Sequence, residues 1–540
     1  MQAQTKPRYR IGSDGSNARL VEMMPALKPG IGSHYMRSQH QPFFFDWNPV
    51  LRDQKWDVRS AYVKAAARTI DMLHNSGWIA GAVEKSIAAM IGTGLRLAAK
   101  PNTTVLKWTT GEADTWSRDV ERRFEEVADN PCEVDAAGVQ NLGQLTKSAI
   151  HSYYSHGEVL GLIPRVDNPY ARTKAKLKLL PAHKLVQDSN GIDMFQGVVM
   201  TGWGFPLEYK INLRAFETMD AEYAVRVPAR DIVGRLQVLH AFDGIAGQVR
   251  GITPLASALK VVKQFDNLAD NTLQAALIQA IFAATIKSQA PTADILNALQ
   301  DDQEQGIGGD LSGYLASKGA WYENTKIDLG RGGKIAHLFP GEELEFNAAS
   351  TPNDNYEAFS RMLLREIAAG LGMTYEAVTG DYTGATYSSV RMSTSENWPI
   401  IMYRRKNIAA RVPQAFYTAW LDEQIEIGVI PFPGGIDGFR ENWSAATKAD
   451  WRGPAKPQAD DLKTAMAYET LNGIGAITLE QMCAELGTDW EDTLEQRARE
   501  MEKRKELGLP EGNTDQAAED ERAAKLKLVS GGDKGGGNGS

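Results

Sequence analysis

Apolar side chains recur at helical spacing through residues 54 to 74 and again through 78 to 91. "NSG" (Asn75 to Gly77) breaks the run and "GTG" (Gly92 to Gly94) stops it, which predicts a helical hairpin. From Leu95 to about Asp243 the periodicity is mixed. Helical spacing near 113–129 and 141–156 gives way to short strand-like runs, "EVLGLIPRV", "KLKLLPAHKLV", "FQGVVMTGW" and "YAVRVPARDIV", as expected of an α/β or α+β domain with mostly antiparallel strands. The pattern then lengthens. In residues 251–288 Thr253 can cap and Pro254 suits a first turn. Apolar residues follow at 255, 259, 262, 265, 269, 273, 277 and 281. One helix of about 35 residues, roughly 50 Å long, is predicted. Its second half is apolar nearly all round, so it requires several packing neighbours, among which copies in other subunits qualify.

Residues 289–345 are short-period, polar and turn-rich, with "GIGGDLSG" and "GRGGK", and are too few for an independent core. A second long helix is expected within 346–377. Thr351 is its cap, Pro352 lies in its first turn, and Tyr356, Phe359, Leu363 and Ile367 form one apolar stripe. The polar, glycine-bearing stretch "VTGDYTGATYSSVR" (378–391) follows. A helical run from 388 to 427 carries Pro399 and Pro413, each of which removes a backbone bond, so a bent helix or a chain of short ones is predicted. After the bend "GVIPFPGGIDGF", residues 459–507 return to helix, with Thr478 and Gln481 spaced as a capping box. The arm 1–53 and the Gly-, Ala- and charge-rich tail 511–540 are expected to lack fixed structure.

Composition narrows the classes. At 540 residues and 59.2 kDa the chain exceeds one ordinary core, and two to four structural units are expected. A 43% hydrophobic and 24% charged composition with mean hydropathy −0.35 is that of a globular protein. The net charge of −9 argues against a surface that grips nucleic acid everywhere by phosphate neutralisation, although a local basic patch is compatible with it. Cys132 and Cys483 match no metal or redox spacing and suit a reducing compartment. The longest apolar run, "LQAALIQAIFAATI", has 14 residues and two glutamines, too short and too polar for a membrane span. The N-terminus has no apolar stretch of signal-peptide length.

Chemical motifs fail on inspection. "DLGRGGKI" has Asp328 and Ile335 where a phosphate-binding loop needs Gly and Ser or Thr, so a surface turn is expected. His151 and His156 are five residues apart, on different helix faces, which disfavours a metal pair; Glu158 is within reach of either, although packing or surface exposure is the commoner fate of such a residue. Ser388 and Ser389 have no identifiable base and serve as capping residues. Arg404, Arg405 and Lys406 suggest a solvated or subunit-facing helix surface. No catalytic residue, metal site or cofactor is expected.

Four stretches together carry a resemblance that composition could not supply. "SGWIAGAVEKSIAAMIGTGLRL", "GQVRGITPLA", "NDNYEAFSRMLLREIAAGLGMTYEAVTGDYTGATYSSVR" and "DWEDTLEQRARE", in this order over about residues 60–505, resemble portal proteins of tailed bacteriophages of the lambda type. The resemblance implies a predominantly helical α+β portal fold, in a ring that in this family usually has twelve subunits, at one capsid vertex of the virion. It implies assembly in the bacterial host cytoplasm and a channel for double-stranded DNA. The implied partners are the terminase large subunit, head-tail adaptor or neck proteins, and a major capsid or scaffold protein, with no membrane. The implied parts are an α/β wing (54–250), a first stem helix (251–288), a clip (289–345), a returning stem helix (346–377), a tunnel loop (378–387), a kinked helix (388–427) and C-terminal wing or crown helices (428–510). Thr379, Gly380, Asp381, Tyr382, Thr383, Gly384, Thr386 and Tyr387 are then the candidate DNA-channel residues, the glycines supplying backbone freedom. Twelve copies at −9 each total on the order of −100, and a wall that is not strongly cationic would let DNA slide. Two other readings stand beside this one: a hydrolase or nuclease with its site in the polar loops, and a monomeric adaptor binding through 289–345.

Overall fold

The computed structural model describes residues 50–213, 223–281, 284–288, 320, 342–346, 354–457 and 461–509. The chain divides into two units, Met1–Asp53 and Gln54–Ser540. Of the first, only residues 50–53 are described, and they form no helix or strand. The arm expected over 1–53 is otherwise outside the described residues, as are most of 289–345 and all of 511–540.

The second unit opens with the predicted hairpin, α1 (Gln54–Asn75) and α2 (Gly77–Ile91). Strand β1 (Arg96–Ala99) leads to α3 (Thr110–Asp129). This helix starts at a capping box: the Glu112 amide donates to Thr109 Oγ1, and the Thr109 amide donates to the Glu112 carboxylate. A similar box, Asn141 with Gln144, starts α4 (Leu142–His156), and Gly157, in the left-handed region at φ 90°, ends it. Eight strands follow or frame these helices. A three-stranded antiparallel sheet has β2 (Glu158–Leu162) between β3 (Lys178–Leu180) and β8 (Val238–Phe242). A four-stranded antiparallel sheet runs in the order β4 (Met194–Phe195), β5 (Val198–Met200), β6 (Pro206–Asn212), β7 (Ala224–Pro228). Leu160, Leu185, Val198, Tyr209, Ile211 and Val238 fill the space between the two sheets.

The single helix expected over 251–288 is three elements. Pro254–Ser257 is a 3-10 turn, α5 spans Leu259–Ile281, and Ala284–Ser288 is strand β9. Thr253 fixes the start, its Oγ1 accepting from the Leu255 amide and donating to the Tyr154 carbonyl. At the far end the backbone leaves the helix because β9 pairs antiparallel with β10 (Glu342–Phe346), which closes the base of the 289–345 insertion. Helix α6 (Asp354–Leu371) returns along α5.

Beyond α6 come α7 (Tyr375–Thr379), α8 (Tyr387–Arg404), a π segment at Arg405–Ala409 and α9 (Arg411–Glu426). Pro399 lies inside α8 and Pro413 inside α9; the run expected over 388–427 is divided between them by the π segment, a turn with one residue too many for an α-helix. Arg404–Lys406 is not a solvated face. Arg405 is buried and donates to the carbonyls of Ala89, Met90 and Pro454, where it meets the negative end of α2. Arg404 donates to the Leu371 carbonyl, and Lys406 alone of the three is fully exposed. Helix α9 is the centre of the main core. Phe416, Tyr417 and Trp420 surround Phe124 of α3 at ring separations of 5.2–6.0 Å, contacts worth about 0.5–1.5 kcal/mol each beyond their burial. Fully buried Asp422 accepts from Arg165, Arg235 and Arg440, tying three distant segments to α9. Strand β11 (Ala449–Arg452) then pairs with β1. The chain closes with α10 (Asp461–Gly473), α11 (Leu479–Glu485), whose capping box is the predicted Thr478–Gln481 pair, and α12 (Trp490–Glu506). The whole is a mostly helical α+β fold. No described helix is long and apolar enough to cross a membrane.

Candidate functional site

The stretch between α6 and α8 is built by local hydrogen bonds that its own sequence dictates. Thr374 caps α7 by accepting from the Ala377 amide at 3.0 Å. Thr379 Oγ1 donates to the Tyr375 carbonyl at 2.8 Å and accepts from the Asp381 amide at 3.1 Å. One oxygen of Asp381 accepts from the Thr383 amide, the other from the Tyr375 hydroxyl, and Arg361 of α6 stands 3.6 Å away. Hydrogen bonds from Thr383, then Tyr375, together with the Arg361 charge, hold the Asp381 carboxyl below the ordinary carboxylate range. Thr386 forms a capping box with Ser389 that starts α8.

The irregular segment is therefore 380–386, because Thr379 ends α7 and Tyr387 begins α8. Gly380 and Gly384 are fixed in the left-handed region at φ 73° and 77°, with open space where a Cβ would stand. Their role in this geometry is to hold two turns that other residues adopt at a cost of about 1–2 kcal/mol. Tyr382 and Thr383 project to solvent at the tip; Asp381 is half-buried. Two cations anchor the base. Lys85 of α2 donates to the carbonyls of Ala377 and Val378 at 2.8 and 3.2 Å, and Arg361 approaches from α6. Lys85, Arg361 and Tyr375 carried no sequence signal, since Lys85 lies some 292 positions from its partner.

A second constellation holds the point where the chain leaves the sheets for α5. Glu158 is fully buried and does not pair with His151 or His156. It accepts from the Tyr62 hydroxyl (2.7 Å), Arg250 Nε (2.9 Å to each oxygen), Arg250 Nη2 and the Gly251 amide (3.0 Å), with His240 Nε2 at 3.0 Å. Burial alone would raise its pKa, but Arg250 and His240 outweigh it and hold the carboxyl far below the usual range. Arg250 also donates to the carbonyls of Ala182, Leu185 and Gln196. With its oxygens occupied, Glu158 is a structural anchor and not a general base. A Cβ on Gly157 would lie 2.0 Å from the Ile252 carbonyl carbon, and one on Gly251 would lie 2.1 Å from the Gly157 oxygen, so the two backbones touch only because both are glycine. His156 stacks on His183 instead; burial, then the neighbouring imidazole, pushes His156 down to about 4.

The Thr386 amide donates to Ser389 Oγ at 2.9 Å, the reciprocal contact of the capping box. Among the described residues no cluster of three His, Cys, Asp or Glu side chains could hold a metal. Cys132 and Cys483 are free thiols.

The sequence model of the phage portal protein family, lambda type, matches residues 41–405. The portal protein of Escherichia phage N15 is 29% identical over 472 residues, which cover 86% of this chain and 88% of that protein. Portal protein B of Escherichia phage lambda is 27% identical over 505 residues, covering 92% and 93%. Among solved structures, a chain of the neck of an empty gene transfer agent particle covers 78% of this chain and 93% of its own length, at TM-score 0.40 and 12% identity. An HK97 family phage portal protein from Corynebacterium diphtheriae covers 68% and 90%, at TM-score 0.27 and 12% identity. The family match and the two phage relatives give no support to the hydrolase or nuclease alternative.

Proposed function

Since the chain belongs to the lambda family of phage portal proteins, we propose that copies of it close into a ring, of twelve subunits as is usual in that family, at one vertex of the capsid. The ring is the conduit through which double-stranded DNA is packaged and ejected. It is the platform on which the terminase large subunit docks and is later replaced by head-tail adaptor or neck proteins, and it sits against the major capsid or scaffold protein. The chain itself breaks no bond, and packaging is driven by the terminase. Residues 54–250 act as wing, 251–288 and 346–377 as stem, 289–345 as clip, 388–427 as kinked helix and 428–510 as C-terminal wing or crown.

The observation that carries the reading is the unpartnered apolar surface of the three long helices. Leu273 and Leu277 of α5 are 61% and 56% exposed, and Phe359 and Met362 of α6 and Met392, Met402 and Tyr403 of α8 are likewise open. Apolar area of this extent costs about 25 cal/mol per Å² in water and asks for a neighbour. A closed ring supplies the same neighbour to each copy. The segment 380–386 then faces the axis, with Tyr382, Thr383 and the flanking Thr379, Asp381, Thr386 and Tyr387 making weak, replaceable contacts with DNA. Particle mass and top-view electron micrographs of the purified protein test the ring, and a stable monomer with an intact core refutes it. Deleting 379–386 is expected to leave rings intact while packaging or retention of DNA falls; loss of the rings would make this segment an assembly contact.

A further inference from the structure

Helix α9 lines a basic cleft on one side. Arg411, Gln414, Ala415 and Thr418 on one side line a cleft of about 630 Å³, walled by Phe205, Tyr209 and Trp443 and closed by the turn that carries Arg230. Among the described residues no Asp or Glu lines this cleft, although the chain as a whole carries a net charge of −9. Arg230 and Arg411 are both exposed, and neither makes an ion pair among the described residues; Arg230 Nη1 donates only to the Gly234 carbonyl.

The other side of α9 packs on α3 through Phe124. The bases of α3 are already committed: Arg118 and Arg122 pair with Glu491 and Glu495 of α12, and Arg123 with Asp119. Its C-terminal end carries Glu125, Glu126 and Asp129, all exposed, with no base in the last turn and no ion pair among the described residues. Three carboxylates at the negative end of a 20-residue helix oppose its dipole, a local conflict that an external cation relieves.

We infer that the acidic C-terminal end of α3 in one copy docks into the Arg230–Arg411 cleft of the next copy. The two surfaces carry opposite charge and belong to different segments of the chain, and a head-to-tail contact joins two such unlike surfaces. The charges set register and encounter rate. This contact rests on the ring reading above and assigns it a specific pair of surfaces.

Two variants test it, Arg230→Glu/Arg411→Glu and Glu125→Lys/Glu126→Lys. All four positions are exposed, so melting of each variant as a monomer is expected within about 2 °C of the parent. Each variant alone places like charges at every contact, and the concentration for half-assembly should rise roughly tenfold or more. Mixed in equal amounts, the two should assemble again, because each contact of an alternating ring then joins opposite charges. One chain carrying all four substitutions should also assemble. Unchanged assembly of both variants, or weakened assembly with no rescue in the mixture, overturns this contact while leaving the ring in place. An unsubstituted protein that forms no ring overturns the ring reading and this contact with it.

Discussion

Replacing Arg250 by Met isolates the anchor beneath α5. The substitution keeps the volume but leaves the fully buried Glu158 carboxylate without its cation, and strips donors from the carbonyls of Ala182, Leu185 and Gln196. Removing one member of a buried ion pair costs about 3–5 kcal/mol. With roughly 2.1 cal/mol/K of unfolding entropy per residue over roughly 400 residues, that is a fall in melting temperature of about 4–6 °C. The assay is calorimetric melting of the unassembled protein at pH 7. Adding Glu158→Gln to Arg250→Met removes the stranded charge and should restore about 1–2 °C, a coupling of the size seen for residues in direct contact. The pH dependence follows from the depressed pKa of Glu158. In the parent its contribution is complete above the unfolded value of about 4.3 and is lost as pH falls below that, through the folded value. Without Arg250 the largest opposition to burial is gone and His240 alone works against it, so the Glu158 pKa rises from its parent value, the carboxyl protonates earlier and the gap between parent and variant narrows as pH falls from 7. Strict additivity of the two substitutions, or a gap independent of pH, would refute the assignment of Glu158 as an ionised anchor.

Other expectations follow from named positions. Gly157→Ala drives a Cβ into the Ile252 backbone and should abolish soluble folded protein, whereas Gly384→Ala meets no atom and should cost only about 1–2 kcal/mol, readable as a small melting shift. Burial pushes Glu121 up to about 7, with the Ala99 amide opposing and Asp489 adding to the rise. The stability this group contributes is present below its unfolded pKa and lost as pH rises through 7. Glu121→Gln should therefore raise stability at pH 8 by on the order of 2–3 kcal/mol, about 2–4 °C in melting temperature, and change little at pH 4; equal effects at both pH values would show that Glu121 is ionised throughout. Lys85→Met should loosen 375–386, seen as faster amide exchange at Ala377 and Gly380 with the exchange of α2 unchanged; uniform exchange would mean the anchor carries no load.

Local chemistry made much of the fold legible. The hairpin α1–α2, the helix near 141–156, the Thr478 capping box and the division of 388–427 into shorter helices follow from periodicity, caps and proline, which act within a few residues. Strands β6 and β8 were missed. Residues 206–212 and 238–242 have strand character only once they pair, β6 between β5 and β7, and β8 with β2. The long helix over 251–288 was overextended, since helical spacing can persist where the backbone has already been drawn into pairing with 342–346.

What the sequence determined by itself was the helical hairpin, the returning helix, the family likeness and the polar stretch within 378–387, because each depends on neighbouring residues. The tertiary structure alone decided charge placement. Arg405 reads as surface and is buried on the end of α2, Glu158 lies within pairing reach of His151 or His156 in the sequence but binds Arg250, and Lys85, which carries no sequence signal, holds a turn nearly 300 residues away. Burial and Coulomb energy depend on what lies within a few ångströms, and only folding sets which of the chain's charges those are.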